Sequence, residues 1–262
     1  ALERSASLRR LSDLPLLLAA MCRAVTESGM RSPRLPQLYD ACLAMLLGEW
    51  PARHDGQHAS PSDQDGLTTL QQVALAMLRA GRRHAAPANL VDMLSEPGGA
   101  QQAAGAELSL RVAGLRTGIL CLSPGAAETC GFVTPCLQDY LAAQGAVAAG
   151  AASALVARAS EPEWRNAAVL AAGLVEDPVP LLYSLEAQPI PEPDKGLLLA
   201  RAIAEVRECT DPLCAQTRDR LYTLFEQDAP PLWNEAAVAL AGMQREGVRD
   251  HFCALVANQR AT

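Results

Sequence analysis

Residues 131–143 read GFVTPCLQDYLAA. The stretch passes from a β-type pair, Phe132-Val133, into an amphipathic helix, and its order of residues is more particular than generic packing requires. Immediately upstream, "GILCLSPGAAETCGFV" (118–133) sets two short β-prone runs, Ile119–Leu122 and Thr129–Val133, on either side of a Pro-Gly turn, which predicts a hairpin. Before the hairpin, helices are expected over Leu70–Ala80, Asn89–Leu94 and Ala104–Leu115.

Three helices followed by a hairpin is the order of elements in a winged-helix domain. Such domains can bind DNA, but the nominal recognition helix here carries too few basic residues to hold phosphates. The whole chain has a net charge of −7, whereas nucleic-acid affinity depends on clustered Lys and Arg. A wing that packs on protein is therefore expected, and no nucleic-acid partner.

Toward the N-terminus, an apolar helix is read over Leu14–Val25, with Asp13 as its N-cap and Pro15 in its first turn. Next, "LPQLYDACLAMLLGEW" (35–50) repeats Leu35, Leu38, Tyr39, Cys42, Met45, Leu46 and Trp50 at three- and four-residue steps, one buried stripe. The following "PARHDGQHASPSDQDG" (51–66) is polar and rich in breakers, so it reads as a linker or exposed loop. His54 and His58 lie in it; their spacing would suit a metal on a rigid helix, but this composition predicts solvated side chains. Residues 1–34 concentrate Arg4, Arg9, Arg10, Arg23, Arg31 and Arg34 against Glu3, Asp13 and Glu27, the pattern of a solvated helix face.

Beyond Ala151 the chain repeats itself. "EWRNAAVLAAGL" (163–174) aligns with "LWNEAAVALAGM" (232–243) on Trp164 with Trp233, on Ala167-Ala168-Val169 with Ala236-Ala237-Val238 and on Gly173 with Gly242, 69 residues apart. Half of that is about 35 residues, the span of a helical-hairpin repeat, and a further apolar helix, "LLLARAIAEV" (197–206), lies near the midpoint. Residues 151–262 thus read as stacked helical pairs resembling HEAT repeats, with the tryptophans packed at equivalent corners.

Composition agrees. Half of the residues are hydrophobic but only 4% aromatic, and an excess of Ala and Leu suits close helix packing better than a sandwich or barrel. Eight cysteines occur with no C-x-x-C pair and no His at ligand spacing, so most are expected as small buried hydrophobes in a reducing cytosol, with no metal site. Cys121 and Cys130 sit at mirrored positions about the turn, where they could face each other across the hairpin as reduced neighbours. Arg9-Arg10 followed by "LPLLLAAMC" lacks a small-x-small cleavage site and is not read as a signal peptide. No run reaches the roughly 20 apolar residues of a membrane helix, so no membrane partner is expected. The chain does not begin with Met and reads as an excerpt, while Lys195, its only lysine, fits the Arg- and Ala-rich bias of a GC-rich bacterial genome.

The opening stretch resembles the motif that closes the winged-helix domain of NACHT-type signal-transducing NTPases, the STAND class, F-x-H-x-x-[FL]-Q-E-[YF]-[LF]-A-A. Phe132, Leu137, Gln138, Asp139 as the acidic position, Tyr140, Leu141, Ala142 and Ala143 carry the match. Four other pieces fall in the family's order. "DLPLLLAAMC" looks like its "NPLLLTLLC" helix, "LPQLYDACLAMLLGEW" like its "LP..R.ELY…LL..W" segment, "GLRTGILCLSP" like the start of its wing, and "EPEWRNAAVLAAGL" like the start of its repeats. Together they cover about residues 1–180.

The resemblance implies a mainly α fold: a helical subdomain over 1–50 following an NTPase core, a linker over 51–68, a winged-helix-like domain with a small β-hairpin over 69–150, and HEAT-like α-helical repeats over 151–262. Two family positions near the nucleotide map onto Pro15, which would pack against adenine, and Thr134, which stands where the family commonly has a histidine on the ADP β-phosphate. Thr134 is shorter and carries no positive charge, which weakens such a latch. The sequence has no G-x-x-x-x-G-K-[ST] and no acidic Mg²⁺-binding strand, so this chain by itself is expected to be non-catalytic and to hold no cofactor; ATP or ADP with Mg²⁺ would belong to the full-length protein.

Implied partners are the NTPase core of the same polypeptide, a protein trigger or effector, and further copies in an activated oligomer. The implied setting is cytoplasmic, and bacterial relatives of this kind often act in antiphage defence. Two other readings stand beside it. One is a free-standing helical-repeat adaptor without nucleotide control. The other is a cysteine hydrolase using His84 or His251, for which the sequence offers neither a nucleophile motif nor a paired acid.

Overall fold

The computed structural model of the chain describes residues 34–49, 63–94, 117–123, 129–206 and 210–226, with isolated residues in 18–26, 110–115 and 236–243. Helix α1 (Leu35–Ala44) turns Leu38, Tyr39, Cys42 and Leu43 inward and runs on into a wider π-helical turn at Met45–Glu49, where Leu46 stays buried. Helix α2 (Asp63–Arg79) begins before the expected Leu70, so the end of the expected linker is helical. Strand β1 (His84–Ala85), helix α3 (Pro87–Leu94), strand β2 (Leu120–Ser123) and strand β3 (Thr129–Phe132) follow. The helix expected over 104–115 lies largely outside the described residues, as do the N-terminal helix around Pro15, His54, His58 and Trp233.

The strands form one antiparallel sheet in the order β1-β3-β2, with β1 as a third strand beside the expected hairpin. Gly131 makes that addition possible. A Cβ there would sit 2.7 Å from the Arg83 carbonyl oxygen and 2.7 Å from His84 Cδ2, so only glycine lets β1 lie this close. The hairpin register pairs Cys121 with Gly131 and Leu122 with Cys130. Cys121 and Cys130 are thus offset by one residue and stand on opposite faces, which corrects the expectation that they face each other. Cys121 is exposed and Cys130 buried, and neither is in a disulfide.

Helix α4 (Pro135–Ala148) continues the opening stretch and is the centre of the fold. Every residue from Leu137 to Ala143 is buried, where an amphipathic helix would expose one face; α4 instead packs against α2 on one side and against α6 (Pro162–Leu174) on the other. The repeat region adds α5 (Ala152–Val156), α7 (Val179–Glu186), α8 (Asp194–Glu205) and α9 (Pro212–Glu226). α6 stacks on α8 and α8 on α9, while the short helices α5 and α7 meet outside them, a layered stack of helical pairs. α3, α4, α6 and α9 each begin with proline, whose missing N–H costs nothing in a first turn.

The architecture is therefore mainly α with a small three-stranded antiparallel sheet. One continuous hydrophobic core runs from Leu38 through Leu141 and Leu170 to Met243. Trp164 is buried in it, with the Arg158 guanidinium 4.0 Å above its ring, so its face is occupied by packing. Ala236 is as fully buried as its repeat counterpart Ala167. Cys214 is disulfide-bonded, unlike the reduced state expected for most cysteines, and its partner lies outside the described residues.

Candidate functional site

Of the two nucleotide-proximal candidates, Pro15 lies outside the described residues. Thr134 is the N-cap of α4, in extended backbone, and its carbonyl accepts the Leu137 and Gln138 amides at 3.1 and 3.3 Å. Its side chain makes no capping hydrogen bond and is only 8% exposed, so a phosphate would reach it only if its neighbours parted. The structure thus brings Thr134 to a helix N-terminus, where anions are favoured.

What surrounds α4 is a set of polar bonds that crosses every boundary in the chain. Asp139 is buried, and its Oδ1 accepts from Arg83 Nη1 at 2.6 Å, just ahead of β1. Its Oδ2 accepts from Asn166 Nδ2 on α6 at 3.0 Å, and Asn166 Oδ1 accepts in turn from Arg201 Nη2 on α8 at 3.0 Å. Burial holds the Asp139 carboxyl above the usual carboxylate range, against the opposing pull of Arg83 and Asn166. Beside it, Gln138 Nε2 donates to the Arg82 carbonyl at 3.0 Å. One turn of α4 therefore grips the wing through Arg82 and Arg83 and the repeats through Asn166.

The next turn grips α1. The rings of Tyr39 and Tyr140 stack with centroids 4.7 Å apart and planes 19° off parallel. Tyr140 Oη donates to Asp40 Oδ1 at 2.5 Å, as does Gln144 Nε2 at 3.2 Å, and Gln71 Nε2 on α2 donates to Gln144 Oε1 at 2.8 Å. Burial, reinforced by Asp40, pushes the Tyr140 hydroxyl far above its ordinary range, so it stays a donor.

A third contact joins the ends. Glu205, at the C-terminus of α8, accepts the Leu35 amide on Oε2 at 2.8 Å, and its carbonyl accepts from Arg34 Nη1 at 2.7 Å. Burial raises the Glu205 carboxyl to about 7, against Leu35, Arg34 and Arg201. Gly173 on α6 seals the place, for a Cβ there would stand 2.9 Å from Glu205 Cβ and 3.0 Å from Pro36 Cγ.

Sequence reasoning found Asp139, as the acidic position of the motif, and Gly173, as a repeat position. It missed Arg83, Asn166 and Glu205, whose partners lie 56, 27 and 170 residues away and leave no local pattern. Among the described residues no group of three or more His, Cys, Asp or Glu side chains is placed to hold a metal, and no helix is long and apolar enough to cross a membrane. His84 stands in β1 opposite Gly131, and His251 lies outside the described residues. No protein-family model matches the chain, and no curated protein matches it significantly.

Proposed function

We propose that this chain is the non-catalytic regulatory and sensor region of a NACHT-type STAND NTPase, bacterial and cytoplasmic, serving antiphage signalling. The repeats bind a protein trigger or restrain the winged-helix lid, and the lid controls a nucleotide-dependent switch in an NTPase core that carries ATP or ADP with Mg²⁺. Trigger binding favours the open arrangement and exposes a face for oligomerisation. The observation that carries this reading is α4, the helix matching the family's closing motif. Its acidic residue is bonded to the wing through Arg83 and to the repeats through Asn166, the contacts a lid needs to feel its sensor. Pro15 and Thr134 are the residues of this chain assigned to the nucleotide side.

A second reading is a free-standing helical-repeat adaptor. It is favoured by the continuous core, which buries the motif helix using residues of this chain alone. The deciding experiment is the extent of the native polypeptide, from intact mass of the endogenous protein or the reading frame upstream of Ala1. A P-loop within the preceding few hundred residues supports the switch; a start codon close to Ala1 leaves the adaptor.

A further inference from the structure

Helix α1 is fastened at its N-terminus by a residue from the far end of α8. The first turn of any helix leaves amides without intrahelical partners. In α1 the Leu35 amide is taken by Glu205 Oε2 at 2.8 Å, Pro36 has no N–H to satisfy, and the Arg34 amide turns back to Gln37 Oε1 at 3.1 Å. Arg34 itself reaches the Glu205 carbonyl at 2.7 Å. Gly173 packs against the Cβ and carbonyl oxygen of the same Glu205 and against Pro36, with no space for one more carbon. This is a built contact between elements far apart in the chain, and α1 meets α4 and α6 more sparingly than those two meet each other.

We propose that Glu205, Arg34 and Leu35 form a proton-linked clasp that holds α1 against the repeat arm, and that α1 is released from the arm as a unit when the clasp opens. Burial of the Glu205 carboxyl at this contact makes release pH-dependent. Glu205 is buried, and the charged groups facing it are Arg34, ahead of α1, and Arg201, on its own helix; both favour its ionised form. The other titratable neighbours are Tyr39 on α1 and, across Tyr39, Asp139 and Cys136 on α4, which all raise the Tyr39 hydroxyl further after burial has done so. The balance leaves docked Glu205 with a carboxyl near 7 against an ordinary 4.5, so the docked state takes up a proton. Docking is then fully favoured below the ordinary value and is lost as pH rises through about 7. This holds for a switch or an adaptor alike.

Hydrogen exchange of the full 262-residue chain, compared at pH 6 and pH 8 after correction for intrinsic rates, tests the clasp. In the wild type the peptide spanning 35–44 should open about tenfold more often at pH 8 than at pH 6, while peptides from α4 and α6 hold. Glu205→Gln keeps an acceptor oxygen but cannot ionise, so the pH effect on 35–44 should vanish. Gly173→Ala should loosen 35–44 at both pH values. Equal opening of 35–44 at the two pH values in the wild type overturns the proposal, as does opening of α1 only in step with α6, or a pH effect that survives Glu205→Gln.

Discussion

Arg83 Nη1 lies 2.6 Å from Asp139 Oδ1, an ion pair in which the carboxylate is almost fully buried and the guanidinium is one-third exposed. The pair fixes the loop before β1 to the central helix. Because the other carboxylate oxygen is held by Asn166, one side chain decides how wing and repeats are set against each other.

Removing that side chain leaves Arg83 and Asn166 without their shared acceptor. Asp139→Ala should cost about 2 kcal/mol in chemical denaturation, discounted from a fully buried pair because Arg83 is partly hydrated. Asp139→Asn, which keeps one acceptor oxygen, should cost less than half as much. Equal losses would show that the charge, and not the volume or a single acceptor oxygen, carries the contact.

Glu205 makes global stability depend on pH in a defined direction. Its carboxyl is raised from 4.5 to about 7, so the folded chain binds the proton more tightly than the unfolded one. The stabilisation is complete below about 4.5 and disappears as pH climbs through about 7. Between pH 5 and pH 8 the wild type should lose up to about 3 kcal/mol relative to Glu205→Gln. Parallel pH curves for the two proteins would remove Glu205 as the source.

At Gly173 a methyl group has nowhere to go. Gly173→Ala gains roughly 1 kcal/mol of helix propensity but must displace Glu205 or Pro36, at a cost of about 1–3 kcal/mol, so the melting temperature should fall. A raised melting temperature would mean that α1 and α8 part easily.

The thiols of the wing should behave separately. Cys121 is exposed and should be alkylated quickly in the native protein, whereas Cys130 should react only on unfolding. Burial pushes the Cys42 thiol to about 12, which keeps it unreactive as well. A mass shift showing a Cys121–Cys130 bridge after mild oxidation would contradict the hairpin register.

On the proposed switch, joined to an NTPase core, Thr134→His should retain ADP longer than the parent, since a histidine at that N-cap reaches farther and can carry charge. Equal ADP release rates would take Thr134 out of the latch.

The opening motif was legible because its parts are local: the β-prone pair, the proline and the apolar helix all lie within residues 131–143. The hairpin and the α6 and α8 helices were legible for the same reason, through alternation or three- and four-residue spacing. β1 was not, because His84-Ala85 becomes a strand only by pairing with Gly131 and Cys130. Nor was the register of Cys121 and Cys130, which depends on one residue of offset that turn composition does not set. Glu205 carried no local signal, because the Leu35 amide that it accepts lies 170 residues away and meets it only on folding. The all-round burial of α4 was hidden too, since Gln138 and Asp139 read as a solvent face until Arg82, Arg83 and Asn166 occupy it.

A helix enclosed on every side cannot slide by fractions of an ångström. With Leu137 to Ala143 all enclosed, α4 moves only by exchanging one packed arrangement for another, since tightly filled interiors resist gradual deformation. On the proposed switch, strain applied at the distant repeats would be either absorbed or passed to the wing as a discrete jump, a threshold in place of a graded response.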